Sequence, residues 1–190
     1  DFFRGETGWR RYYLFECCGE ISFARSMASE FVISEDLILR HTNQFNIEQI
    51  IAAASFHGNI GEGQKKLDHF ASQEQAKVFS SESIEKTQED EFRRERLKDL
   101  GKTYLQKFGF KFLISAQGKN SQELLEALET RLQNDLLTEI SFARVALGQI
   151  AWKRFQKVLA QYPFVFLQES LRNCLDKVRV QQNLNSISLA

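Results

Sequence analysis

YLQKFGFKFLISA, Tyr104 to Ala116, is the most compact apolar run in the chain, and it follows a long stretch that is almost entirely polar or charged. That contrast marks it as the buried centre against which the rest must pack. Phe108, Phe110 and Phe112 alternate as they would in a strand, and Leu113 and Ile114 continue the run without a charge. The spacing predicts a short extended segment. Gly109 lies between two aromatic residues. Its missing Cβ either admits a close neighbour, backbone or ligand, or lets the chain turn between a helix and the extended run.

Outward from this run the chain reads as helices. A single proline, Pro163, and 10 glycines in 190 residues leave few breaks, which favours a mainly helical chain over a sandwich of short strands. A hydrophobic content of 43% supplies the core of one globular domain. Ile21, Phe23, Ala24, Met27, Ala28 and Phe31 repeat at helical spacing, and Ser34 before Glu35 and Asp36 caps the next helix. Asn46 opens a third, with Ile47, Ile50, Ile51 and Ala54 as its apolar face; it ends at His57 with Gly58 as a left-handed stop. The segment NIGEGQKK is a loop. A helix begins at Ala71 or Ser72, carrying Glu74 and Gln75 in its first turn.

Glu89 with Arg93 and Asp90 with Arg94, each four apart, support a solvated helix before the central run. Asn120 or Ser121 then caps a helix carrying Leu124, Leu125, Leu128 and Leu132. Asn134 or Asp135 opens a long one reaching about Ala160, with the stripe Leu136, Ile140, Ala143, Leu147, Ile150, Ala151 and Val158. A last helix runs from Phe164 to Val180 and a polar tail follows. The aromatic and basic residues 1–16 have no clean period and read as a docking arm.

Lys plus Arg and Asp plus Glu total 25 each, so no net field draws the chain to nucleic acid or to an anionic membrane. Arg93, Arg94, Arg96 and Lys98 are interleaved with carboxylates and read as a solvent face. No run reaches the ~18 apolar residues of a membrane helix, and the N-terminus lacks signal-peptide order. Three cysteines, Cys17 and Cys18 adjacent, form neither a disulfide framework nor a zinc spacing. They indicate reduced thiols in a cytosol-like compartment. His41, His57 and His69 show no paired metal-ligand spacing, and GEGQKK lacks the full phosphate-loop pattern.

Three groups have chemical potential. His57, at a helix end beside a glycine-rich loop, suits either a general acid or a cap on the last carbonyls. Glu74 and Gln75 lie where a helix N-terminus stabilises negative charge. Arg154 falls on the apolar stripe of its own helix, so it needs a partner: a carboxylate such as Glu139, a bound anion, or water reached by snorkelling.

In order and spacing these residues resemble the decarboxylases of 2-oxo-4-hydroxy-4-carboxy-5-ureidoimidazoline, or OHCU, in purine breakdown. The resemblance rests on His57 with Gly58 and Gly61; on Ala71, Ser72, Gln73, Glu74 and Gln75; on Tyr104 to Phe112 running into Leu113, Ile114, Ser115 and Ala116; on Arg131, Asn134 and Glu139; and on Arg154. It covers residues 12 to 160. It implies an all-α fold, a single-domain helical bundle in residues 12–162, flanked by an arm (1–11) and a C-terminal helix and tail (163–190).

It implies also that the central run lines a pocket as extended backbone. His57 would be the acid/base, Glu74 would orient it, and Arg154 would bind an anionic or carbonyl group. Gly58, Ala71, Gln75 and the backbone of Phe112, Leu113, Ile114, Ser115 and Ala116 would hold the ureido and ring amides. The family uses no cofactor and no metal, forms (S)-allantoin, and is often dimeric. Three positions depart from its pattern: Gly58 and Lys111 replace prolines and Ala71 replaces a serine. They frame the alternative, a helical domain of the same fold serving binding or protein interaction.

Overall fold

The structure, a computed structural model, describes residues 8–60, 88–116, 118–163, 165, 166 and 171. Among them are seven helices and no strand. In chain order these are α1 (Gly8–Cys18), α2 (Ile21–Ala28), α3 (Glu35–Thr42), α4 (Ile47–Phe56), α5 (Gln88–Phe108), α6 (Ser121–Arg131) and α7 (Leu136–Gln161). The all-α expectation holds. Helix α7 is the spine, with α1, α3 and α4 packed along it, α2 against α1, and α6 against α5.

Short polar side chains begin most of these helices by satisfying backbone N–H groups that have no partner within the helix. Ser34 Oγ accepts from Leu37 N at 3.2 Å, and Asp135 from Thr138 N at 2.8 Å. Asn46 and Asn120 each form a reciprocal capping box, with Gln49 and Glu123. Glu20 caps α2 through Ser22 N and Phe23 N. Four of these five starts were legible from residue type alone.

The central run divides differently from its reading. Tyr104 to Phe108 form the last turn of α5, and Gly109, at φ +80°, ends that helix with its N–H on the Leu105 carbonyl at 2.9 Å. Nothing lies within 4 Å of where a Gly109 Cβ would be, so the glycine turns the chain and admits no close neighbour. Residue 110 lies at a bend, and residues 111–116 belong to no helix and no strand. Phe108, Phe110 and Phe112 are all buried, and their rings gather around Tyr104. The alternation registered burial of every second side chain, which an extended strap inside a helical core produces as well as a strand does.

Other faces are rotated from expectation. On α4 the buried residues are Ile50, Ala53 and Ala54, whereas Ile47 and Ile51 are 37% and 39% exposed. Phe31 lies beyond the end of α2 and is exposed, as is Leu136 at the first turn of α7. From Gly8 onward the segment read as an arm is helical, and Arg10 is buried with its guanidinium on the Glu30 carbonyl at 2.5 Å. No left-handed stop occurs at Gly58; the glycines of positive φ among the described residues are Gly19, Gly109 and Gly118.

The crossing of α3 and α7 depends on Gly148. A Cβ there would stand 2.7 Å from both Leu39 Cδ2 and Thr42 Oγ1, and Thr42 is fully buried. Gly148→Val is therefore expected to destabilise the fold by about 1–3 kcal/mol through overpacking. Gly148→Ala should cost less, because the gain in helix propensity, of about 1 kcal/mol, offsets part of the clash. Urea midpoints of the two variants measure this; a valine variant as stable as the parent would refute the close crossing.

Candidate active site

His57 is buried, 6% exposed, at the C-cap of α4. Its burial follows from helical spacing, because Ile50, Ala53, Ala54 and His57 fall on one stripe, so the histidine continues the core face past the last turn. The backbone at His57 is extended, φ −78° and ψ 147°, so the chain leaves the helix abruptly there. Phe56 beside it packs edge-on to Phe15 at 5.0 Å and seals against Gly19, where a Cβ would stand 2.4 Å from Phe56 Cβ. Gly19 itself has φ +78°. A side chain at Gly19 would be both strained and obstructed.

The strap 110–116 runs beside this helix end and is pinned at three points. Lys111 Nζ donates to the carbonyls of His57 at 2.8 Å and Ser55 at 3.1 Å. Arg131 Nη1 donates to the Leu113 carbonyl at 2.7 Å, and its guanidinium lies 4.6 Å from the Phe112 ring centroid. Lys153 Nζ donates to Ser115 Oγ at 2.8 Å. Phe112 and Leu113 are buried; Ile114, Ser115 and Ala116 are half-buried. One oxygen on Leu113 and the Ser115 hydroxyl thus already serve the protein's own cations.

Arg131 belongs to a buried cluster that holds the strap from behind. Its Nε and Nη2 donate to one oxygen of Glu139 at 2.9 and 2.7 Å, and Asn134 donates to the other at 2.6 Å. The Tyr104 hydroxyl donates to Glu139 as well and accepts from Arg131 Nη2 at 3.2 Å. Burial pushes the Tyr104 phenol well up against the opposing pull of Arg131, and the carboxylate of Glu139 pushes it further, so the phenol stays a donor. Arg131, Asn134 and Glu139, whose spacing carried part of the resemblance, are a structural ion-pair cluster.

Arg154 lies on the buried stripe of α7 as expected, 2% exposed, and its Nη1 donates to the Glu16 carbonyl at 3.3 Å. Glu139 is not its partner. Fifteen residues along one helix separate the two by about 22 Å, at 1.5 Å per residue, and Glu139 is committed to Arg131. Beside Arg154, burial pushes the Cys17 thiol up to about 12, with the guanidinium opposing and Glu16 adding to the rise. Burial likewise holds Cys18 well above its ordinary value. These thiols are neutral packing groups and not nucleophiles.

Arg154 therefore meets the last turn of α1 at Glu16, and Phe56, the neighbour of His57, meets that same turn at Phe15, while Lys111 ties the strap to the His57 carbonyl. Gly58, directly after His57, is exposed. Glu74, Gln75 and Ala71 lie outside the described residues, as do Gly61 and Gly63. Lys111 and Lys153 were missed as candidates. The alternation of the central run held a signal for Lys111, since its neighbours Phe110 and Phe112 face the core and residue 111 must face away. Nothing local in the sequence marked Lys153.

Of the basic cluster on α5, Arg93 pairs with Glu89 at 2.9 Å and Arg96 faces Glu129 at 3.5 Å, as a charge-paired surface would. Among the described residues no group of three His, Cys, Asp or Glu could hold a metal ion, and no helix is long and apolar enough to cross a membrane.

An all-helical domain with a buried histidine at a helix end, an extended strap beside it and an arginine on the spine helix is a recognisable class. A solved chain described as OHCU decarboxylase in the presence of (S)-allantoin superposes with a TM-score of 0.62 and 26% identity, covering 82% of this chain and 99% of that one. The OHCU decarboxylase family model matches residues 17–156. The chain belongs to the OHCU decarboxylase family. It is also 29% identical over 166 residues to a uric acid degradation bifunctional protein TTL of Arabidopsis thaliana, covering 82% of this chain and 48% of that protein. A uric acid degradation bifunctional protein of Bacillus sp. (strain TB-90) is 30% identical over 105 residues, 55% of this chain and 20% of that protein. The chain thus spans at most about half the length of these relatives.

Removing Glu139 alone would strand the Arg131 guanidinium in the core. Glu139→Ala is expected to cost about 3–5 kcal/mol, whereas replacing both Glu139 and Arg131 by apolar residues of similar volume should cost much less. Denaturant unfolding of the single and double variants separates the two. Equal losses would mean that the cluster is not one coupled unit.

Proposed function

We propose that this chain decarboxylates OHCU to (S)-allantoin without a cofactor, in urate breakdown, and that His57 is its acid/base. The observation that carries the reading is the setting of His57. Its helix buries it and ends at it, while the strap that would line the pocket is tied to that same helix end through Lys111. Family membership supplies the reaction class.

In the reaction the bond between the ring carbon and its carboxylate breaks. The electron pair is drawn into the electron-poor ring, and a proton is delivered to carbon as carbon dioxide leaves. His57 would assist the departure and supply that proton. Glu74 would orient the imidazole, and Gln75 would bind the ureido amide with Gly58, Ala71 and backbone groups of Phe112 to Ala116. The Leu113 carbonyl already accepts from Arg131, so the neighbouring backbone groups of the strap carry more of this duty. Arg154 would take an anionic or carbonyl group, exchanging its long contact to the Glu16 carbonyl for the ligand.

The same reading carries a small-molecule substrate, no nucleic-acid or membrane partner, a homodimer and a cytosol-like compartment. The balanced charge supports the absence of a nucleic-acid partner, and the free thiols of Cys17 and Cys18 suit a reducing compartment.

Generating the substrate in the cuvette from urate and following allantoin by circular dichroism tests the proposal, because the uncatalysed route yields racemate. An accelerated, one-handed signal is expected, and His57→Asn should lower it to the background, at least a hundredfold, with the fold retained. Racemate at the background rate from folded protein would sink the decarboxylase reading. Full activity in His57→Asn would remove His57 as the acid/base.

A further inference from the structure

A helix leaves its last carbonyls without partners inside the helix, and the partial negative charge there attracts a cation. At the end of α4 that cation comes from far along the chain. Lys111 Nζ bonds the carbonyl of Ser55 in the last turn and the carbonyl of His57 itself, at 3.1 and 2.8 Å. The residue after His57 is glycine, which adds no stiffness of its own. The extended conformation of His57 is thus held by the helix on one side and, on the other, by an ammonium group from the strap.

From this geometry we infer that Lys111 is a positioning residue for His57: its side chain fixes the backbone from which the imidazole projects and locks the spacing between His57 and the strap 112–116. This rests on the decarboxylase reading above and deepens it. Lys111 sits where the family pattern has proline, and the structure gives the substitution a job. The ammonium binds the protein and not the substrate, so its loss should act on turnover more than on binding. A shift of about 1 Å in a catalytic group can cost on the order of a hundredfold in rate.

A proline at position 58 offers an independent test of the same idea. It would drive the preceding residue toward extended backbone with ψ near +120° to +160°, and His57 already has ψ 147°. Gly58→Pro should therefore supply what Lys111→Met removes.

The experiment compares the parent, Lys111→Met, Lys111→Arg and Lys111→Met/Gly58→Pro, each confirmed as folded by circular dichroism. Two readouts are taken: turnover, and the imidazole resonances of protein labelled with 15N-histidine, with His57 assigned by its loss in His57→Asn. Expected is one sharp His57 signal in the parent, broadened or doubled in Lys111→Met, with kcat lowered tenfold or more and KM within about threefold. Lys111→Arg should recover most of both, and the double variant should recover the single sharp His57 signal.

A His57 signal unchanged in Lys111→Met overturns the inference whether or not the parent turns over substrate, as does a rise in KM with kcat intact. An inactive parent whose His57 signal still depends on Lys111 removes the decarboxylase reading and leaves the positioning role standing. Failure of Gly58→Pro to restore the His57 signal, with Lys111→Arg also failing, overturns backbone fixing as the mechanism.

Discussion

The ion-pair cluster around Glu139 is the constraint on which the rest depends. One carboxylate on α7 takes hydrogen bonds from Arg131 at the end of α6, from Asn134 in the link to α7, and from Tyr104 on α5. Arg131 then spends a further donor on the Leu113 carbonyl. Three helices and the strap therefore meet at one buried oxygen pair. Such a cluster contributes little net stability compared with an apolar core of the same shape, because desolvating the charges offsets most of their attraction. It does favour one arrangement over its neighbours: a strap displaced by one residue would present an N–H, or nothing, to the guanidinium. The register of the strap relative to α6 and α7 is set from this side.

From the other side the strap is set by Lys111, and from the spine by Lys153 on Ser115. The ties fall at 111, 113 and 115, the one at Leu113 through its backbone carbonyl while its side chain stays in the core. Phe110 and Phe112 meanwhile point into the aromatic cluster around Tyr104. Apolar and charged anchors thus alternate along the run. A segment that pairs with no strand could not hold its shape by a hydrogen-bond ladder, and here cations on two helices and on the strap take that role.

Helix starts and the all-α class were legible because they depend on short-range chemistry. Asn46, Asn120 and Asp135 bond to N–H groups three residues away, and no tertiary contact can much alter that. The faces of α4 and the strand-like reading failed for a common reason. Ile47 and Ile51 are as apolar as Ile50, and Ala52 is as small as Ala53 and Ala54, so composition could not tell which side turns inward. Period 2 at Phe108, Phe110 and Phe112 reported burial, yet period alone cannot distinguish a strand from an unpaired strap, and Phe108 is still helical.

The candidate site was legible in its members more than in its wiring. Arg154 announced itself as a charge on an apolar stripe, and it is buried there; the length of α7 alone excluded Glu139 as its partner. His57 drew notice as a polar residue at a helix end, but its burial came from a stripe, Ile50, Ala53, Ala54 and His57, that a different choice of face had hidden. Lys111 looked like damage to the family pattern, a charge in place of a rigid residue. The pairing that gives it sense spans more than fifty positions, from residue 111 to Ser55 and His57. Proline restrains its own backbone and that of the residue before it, a local effect; a lysine can restrain a backbone only from a distance, and then only if its own segment is held. The substitution at 111 therefore makes the geometry of His57 depend on the strap, and through Arg131 on the buried cluster behind it, where a proline after the histidine would have kept it local.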